Sequence, residues 1–185
     1  MSLKELTKER HKEAESCEFN VRMMQGNLTK HEYLQYLGQL YMLFEHLDEL
    51  AYFMMPPNVQ GDFQRRYRIL DDMREITDDI SSITLVPSTV KYYMYLDTMV
   101  AEYDDIRAYG HIYLNYMALL YGGQFMRTKV PSSGELYNFY DKNDEIISAI
   151  RSIEPQINPD EVNLGYDFYI GMFNELQELS RQSSN

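Results

Sequence analysis

The chain of 185 residues contains no tryptophan, one cysteine and six prolines. With Cys17 alone, neither an intrachain disulfide nor a thiolate metal cluster can form. No apolar run approaches the ~20 residues that span a bilayer. The first residues are charged from Lys4 onward, unlike a signal peptide. The chain therefore reads as soluble and cytoplasmic. Basic residues are the minority, 17 against 29 acidic, for a net charge of −12. That balance argues against nucleic acid, whose affinity comes from neutralising phosphates, and against an anionic membrane surface. No glycine-rich dinucleotide or flavin fingerprint is present. No repeat, low-complexity tract or linker divides the chain, so residues 1–185 are read as one domain ending in a frayed tail at 183–185.

What is abundant is tyrosine, 17 residues, with 8 phenylalanines and 12 methionines. These suit either a soft helical core or a lined cavity for a large planar ligand. The patterning is helical nearly throughout. Thr29 with Glu32 forms a capping box. The helix that follows runs to about Met54, with the stripe Tyr33, Leu37, Leu40/Tyr41, Phe44, Leu47 and Ala51, and Pro56-Pro57 ends it. A shorter helix is expected over Asp62 to Thr77. Pro87-Ser88 opens another, with Val90, Tyr93/Met94, Asp97 and Val100 as its stripe. A long segment from about Asp104 to Arg127 is expected to be interrupted at Gly122-Gly123. Ser132 with Glu135 reads as a second capping box. Asn158-Pro159-Asp160-Glu161 starts the last helix, expected to reach about Arg181. Ile83 to Val86 is the best strand candidate, and it is short.

His11 is the most informative residue. On a helix, Leu3, Leu6/Thr7, His11 and Ala14 share one stripe. A histidine on an apolar stripe is either satisfied or used. One imidazole nitrogen can ligate a metal while the other is fixed by a hydrogen bond. Glu15 lies one turn on, and Lys4 and Lys8 precede by one and two turns. A ligand, an orienting carboxylate and two cations suit a flat iron cofactor with carboxylate tails. A second stretch, His111 to Gln124, places two adjacent glycines inside a helical pattern, at roughly 1 kcal/mol each relative to alanine. Either the helix ends at Gly122, or the backbone kinks or touches a ligand there.

These residues carry a resemblance. The N-terminal block from His11 through Phe19, Gly26, Thr29 and Leu40-Tyr41 to Glu49 resembles the heme oxygenase family. Tyr116 to Gln124 is similar to that family's distal motif, Tyr-Leu-Gly-Asp-Leu-Ser-Gly-Gly-Gln, and Phe173 to Leu179 is similar to its last helix. Weaker similarity runs from Val86-Pro87 to Leu96. The resemblance implies an all-α, single-domain fold with heme clamped between a proximal and a kinked distal helix. It implies His11 as iron ligand, Glu15 as its orienter, and Lys4 and Lys8 toward the heme carboxylates. Ala118, Gly122 and Gly123 would lie against the porphyrin. Tyr41 and Tyr113 correspond to pocket tyrosines, and Tyr166 to an aromatic packed on heme. The implied reaction is cleavage of heme, both cofactor and substrate, by O2 and external reductant to biliverdin, carbon monoxide and ferrous iron. The electron donor implied is a ferredoxin or a flavoprotein reductase. Lys4, Lys8 and Lys12, and Arg127 with Lys129, offer local positive charge for docking.

The match departs from the family at its distal aspartate, where this chain has Leu119. The aspartate organises distal water, and leucine cannot hold water by hydrogen bonds. Asn115, Tyr113, Tyr116 and Tyr121 are the candidates to rebuild that network. The other outcome is a non-catalytic heme carrier or sensor with the same clamp. Further along, Tyr140 and Asp144 stand where the family has cations, and Lys142 and Arg151 are the nearest ones. His31 reads as exposed, His46 as a packing residue, and His111 receives no chemistry. Pairs such as Glu45/Asp48/Glu49 and Asp71/Asp72 invite a diiron reading, but that architecture needs two Glu-x-x-His motifs. Glu13/Glu15 and Asp104/Asp105 read as solvated faces. A thiaminase-like hydrolase using Cys17 is a weaker third reading.

Overall fold

The computed structural model describes residues 1–77, 79–102 and 105–183. Among these the chain is helical, without strands. The helices are α1 (Leu3–Ser16), α2 (Glu18–Met24), α3 (Lys30–Met54), α4 (Arg66–Ile76), α5 (Pro87–Val100), α6 (Ala108–Arg127), α7 (Asn143–Ile153) and α8 (Pro159–Ser183). The all-α expectation therefore holds. Asp104 and the tail residues Ser184 and Asn185 lie outside the described residues, and Ser183 closes α8.

Local signals set the starts of α1, α3 and α8. At α3 the Thr29 side chain accepts from the Glu32 amide and Glu32 accepts from the Thr29 amide, so two otherwise orphan N–H groups are satisfied. Ser2 and Glu5 do the same for α1. At α8 the Asn158 side chain accepts from the Asp160 amide at 3.0 Å, and Pro159 supplies a φ suited to the first turn.

Helix α3 is buried on most of its circumference and packs on α4, α5 and α6. Helix α8 packs on α1, α2, α5 and α6. The expected α3 stripe is buried except for half-buried Tyr41. Helix α5 differs from expectation by one residue. Its buried positions are Thr89, Tyr92, Leu96 and Met99, while Val90, Met94 and Asp97 face out. The reason is polar: the expected stripe contained Asp97, whereas Tyr92 finds buried partners for its hydroxyl.

Three further expectations are corrected. Asp62–Thr77 divides into a 3-10 turn at Gln60–Phe63 and α4. Ser132 caps no helix. Its hydroxyl donates to Asp72, and Glu135–Tyr137 is a 3-10 turn that follows a left-handed Gly134. Helix α6 runs unbroken through Gly122-Gly123.

The segment Ile83 to Val86 pairs with no strand. Its backbone is read by two buried glutamines one turn apart on α3. Gln35 donates to the Ser82 carbonyl at 2.7 Å and accepts from the Thr84 amide at 2.8 Å. Gln39 donates to the Thr84 carbonyl at 2.9 Å and accepts from the Val86 amide at 3.0 Å. Gly38 lies between them, where a Cβ would stand 2.4 Å from Ile83 Cγ2. The missing side chain lets the segment lie on the helix.

Two carboxylates fasten the helices, Asp72 fully buried and Asp48 half-buried. Asp72 accepts from Ser132 Oγ and from the amides of Glu135 and Leu136 at 2.7–2.9 Å. It holds the chain beyond α6 against α4. Asp48 on α3 accepts from the amides of Arg65 and Arg66 at the start of α4, each at 2.8 Å, and from the Tyr116 hydroxyl on α6 at 2.7 Å. Burial pushes the Asp48 carboxyl up to about 6, against those hydrogen bonds and nearby Arg65, which pull it down.

Gln39→Ala strips partners from a buried amide and carbonyl at once, and urea unfolding is expected to show a loss of about 2 kcal/mol. A loss near zero would remove the glutamine ladder as a structural element. Because folding raises the Asp48 pKa, its stabilising contribution is full below about pH 4 and is lost as pH rises through about 6. The stability of Asp48→Asn relative to wild type is therefore expected to rise by about 3 kcal/mol between pH 4 and 7. A pH-independent difference would contradict this.

Candidate functional site

Helix α1 buries Leu3, Thr7 and Ala14. It is fixed to α8 by Arg10 with Asp167 at 3.0 Å and by Asn163 Nδ2 donating to the Leu6 carbonyl at 3.3 Å. Its Leu3 joins Leu114, Ile157 and Val162 in a small cluster between α1, α6 and α8. His11 shares this helix but is not absorbed by the core. Its side chain is 53% exposed, and its Nε2 lies 3.4 Å from Glu15 Oε1. Its ring centroid stands 5.6 Å from that of Tyr166 on α8. Lys4 and Lys8 are exposed on the preceding turns. A half-exposed imidazole beside a carboxylate can act as a metal ligand with an oriented ring.

Helix α6 presents two unlike faces. Ile112, Asn115, Tyr116, Leu119, Leu120, Gly123 and Met126 enter the core. Tyr113 and Met117 are half-buried, and Ala118, Tyr121 and Phe125 are exposed. The adjacent glycines do different things. A Cβ on Gly122 would meet nothing within 4 Å, whereas one on Gly123 would stand 3.1 Å from Tyr137 Cβ. Gly122 thus opens the outer face, and Gly123 serves core packing rather than the open side. The outer face, from Ala118 through Tyr121 and Gly122 to Phe125, is a strip of small and aromatic residues that the protein leaves largely uncovered.

The structure brings together only some of the expected residues. His11, Glu15 and Tyr166 cluster, and Tyr113 packs with Tyr166 around the Leu3 cluster. Burial pushes the hydroxyls of Tyr113 and Tyr166 up, so both remain neutral. Tyr121 lies on the outer face of α6, and its oxygen accepts from Arg151 of α7 at 2.5 Å. Lys142 instead pairs with Glu145. Asn115 and Tyr116 point inward. Tyr116 donates to Asp48. Asn115 donates to Tyr92 and to the His111 carbonyl and accepts from Tyr169, which uses its amide on both ends. Leu119 is 6% exposed and belongs to the main core. Tyr41 is not beside His11. It lies under the Arg66 guanidinium, 4.5 Å away, on a groove of about 450 Å³ between α3 and α4.

Among the histidines, His31 is exposed. His46 packs its ring 4.2 Å from Tyr93, but neither nitrogen has a hydrogen bond, and Nε2 stands 3.4 Å from Asp97. His111, expected to carry no chemistry, is fully buried between Tyr92 and Glu161. The one local signal was Gly110 beside His111; a Cβ on that glycine would stand 2.8 Å from Glu161 Cβ on α8, and the pattern of apolar residues does not reveal that crossing. Asp48 and Asp72 serve the structural bonds described above. No group of three or more His, Cys, Asp or Glu side chains among the described residues is arranged to hold a metal ion. No helix among them is long and apolar enough to cross a membrane.

The fold is that of known proteins. The heme oxygenase from Leptospira interrogans is 20% identical, with a TM-score of 0.78 over 95% of this chain and 100% of that one. Heme oxygenase-1 of the cyanobacterium Synechocystis, solved in complex with heme, is 18% identical, with a TM-score of 0.83 over 98% of this chain and 93% of that one. Heme oxygenase-2 of the same organism, solved with heme and NO, is 16% identical, with a TM-score of 0.81 over 98% and 86%. Comparison with curated protein sequences found no match. The sequence profile described as heme oxygenase matches residues 1–149, most of the chain, and by that match the chain belongs to the heme oxygenase family.

Proposed function

We propose that the chain binds heme between α1 and the outer face of α6, with His11 as iron ligand, and cleaves it with O2 and electrons from an external donor. The observation that carries this reading is the unabsorbed His11 imidazole, half-exposed and 3.4 Å from Glu15, on a helix otherwise docked into α8. The residues present fit the group. An imidazole with a neighbouring carboxylate suits iron. Open space at Gly122 and the exposed Ala118 suit a flat ring lying on the backbone, and Lys4 and Lys8 suit its carboxylates.

Heme, when bound, supplies the redox-active iron and is itself the ring opened to biliverdin, carbon monoxide and ferrous iron. The rest falls to side chains. Glu15 orients the imidazole, and Tyr166 packs beside it. Ala118 and Gly122 allow close approach of the backbone. Gly123 acts one step removed, by letting α6 seat on Tyr137. Tyr113 and Tyr121 hold the hydroxyls nearest the open strip. The Tyr121 oxygen already accepts from Arg151, so its own hydrogen is free to donate. Asn115 and Tyr116 support the distal helix from behind. Tyr41 lines the groove beside Arg66 between α3 and α4. Electrons come from a partner, a ferredoxin or flavoprotein reductase, for which the Lys4, Lys8 and Lys12 ridge is the docking charge.

One observation favours a second reading, a heme carrier or sensor. Leu119 buries an apolar side chain where the family has an aspartate, so no carboxylate orders water there. Purified protein with one equivalent of hemin, reductant and oxygen separates the two. Loss of the Soret band with growth of a bilin band supports the oxygenase, and a stable bound spectrum supports the carrier.

His11→Ala is expected to abolish the saturable shift of the hemin Soret band in titration while keeping unfolding stability within about 1 kcal/mol, because the ring is half-exposed. An unchanged titration would remove His11 as ligand. Leu119→Asp is expected to change turnover rate or the distribution of bilin isomers, and to lower stability by about 2 kcal/mol or more by burying a carboxylate. No change in rate or product would show that position 119 does not bear on the ligand face.

A further inference from the structure

A polar assembly centred on buried His111 and Tyr92 is not accounted for by the roles above, although it includes Asn115. Six side chains from α5, α6 and α8 form one chain of hydrogen bonds. Tyr169 donates to Asn115 Oδ1 at 2.5 Å, and Asn115 Nδ2 donates to the Tyr92 hydroxyl at 3.0 Å. The Tyr92 oxygen lies 2.8 Å from His111 Nδ1, His111 Nε2 lies 3.1 Å from Glu161 Oε2, and Tyr95 donates to the same oxygen at 2.8 Å.

The chemistry fixes the direction of every bond. A carboxylate only accepts, so the His111 hydrogen sits on Nε2. Burial pushes the His111 pKa below its usual value, so the ring is neutral and Nδ1 is an acceptor. Tyr92 must then donate to Nδ1, which leaves its lone pair for the Asn115 amide. Asp105 and Arg107 before α6 are the other charges acting on His111 and Glu161, and they bond to each other at 2.5–3.0 Å.

Two glycines build the crossing around this pair. A Cβ on Gly110 would stand 2.8 Å from Glu161 Cβ. A Cβ on Gly165 would stand 2.4 Å from Leu114 Cδ2, 3.4 Å from His111 Nδ1 and 3.5 Å from the Tyr92 oxygen. The close approach of α6 to α8 therefore occurs at the His111–Glu161 contact. The next residue of α8, Tyr166, faces His11. Asn115 stands one turn before Leu119 and just before Ala118 on α6.

We propose that His111 and Glu161 are positioning residues. By fixing Tyr92 and through it Asn115, they set the depth and rotation at which α6 presents Ala118 and Gly122 opposite His11. This rests on the function proposed above for those faces.

The test compares hemin titrations and bound visible spectra of wild type, His111→Phe and His111→Asn. Phenylalanine keeps the ring volume and loses both bonds. Asparagine places Oδ1 where Nδ1 was and keeps the Tyr92 bond. His111→Phe is expected to bind hemin about tenfold or more weakly, with an altered spectrum, and His111→Asn to recover most of both. Should His111→Phe fail to fold, Tyr92→Phe removes the same link by deleting one oxygen. Unchanged affinity and spectrum, even with a lower melting temperature, would overturn the proposal and leave a stability element. If wild type binds no hemin, the functional reading fails instead. Amide exchange over residues 116–123 then decides: about tenfold faster in His111→Phe and restored in His111→Asn supports the pair, and no change overturns it.

Discussion

Helix α8 is the support on which the site depends. α1, which carries His11, and α6, which carries Gly122 and Gly123, are both held by it. Within one turn α8 offers Gly165 to α6 and Tyr166 to His11. Because glycine occupies the first of these positions, α6 comes close enough for His111 to reach Glu161. Because an aromatic occupies the second, the imidazole of His11 has a wall to stand beside without being buried. Side-chain size on α8 therefore sets how closely α6 and His11 each stand against it.

The core around this support is soft in composition and specified by polar groups. Tyrosine and methionine fill space without demanding one packing. Buried carboxylates and amides demand specific partners, since leaving them unpaired is costly. Asp48 joins α3, α4 and α6; Asp72 joins α4 to the chain beyond α6; Gln35 and Gln39 hold the extended stretch before α5. The same logic places Tyr92 inward on α5 and turns Asp97 out. In this protein buried hydrogen bonds choose among packings that hydrophobicity alone leaves nearly equivalent.

The leucine at position 119 gains meaning from this arrangement. It sits on the inner side of α6, in the main core, a turn after an asparagine engaged at both ends. The inner side of α6 is thus closed by apolar packing at that level. The polar groups left on the strip itself are tyrosine hydroxyls, one of them braced by Arg151. Helix α6 itself carries phenols and no carboxylate. The oxygenase and carrier readings part at this point.

Much was legible from one dimension. Capping boxes, prolines and three- and four-residue apolar spacing depend on local contacts, so α1, α3 and α8 were readable from Thr29-Glu32, Asn158-Pro159 and the stripes that follow them. The His11–Glu15 relation is a one-turn relation and was equally readable, as was the family likeness. What the order of residues left open were contacts made across helices. Which of two adjacent stripes on α5 turns inward depended on partners for Tyr92 some twenty residues away. Whether Gly122-Gly123 ended a helix depended on Tyr137 filling the space beside Gly123. Whether Asn115 faced a ligand or the core depended on Tyr169. The sequence by itself determined the helical class, the capped helix starts and the one-turn spacing of His11 and Glu15, because those follow from short-range periodicity and chemistry. Only the tertiary structure decided which side chains are spent inside and which remain available, because burial is a property of the assembled layers.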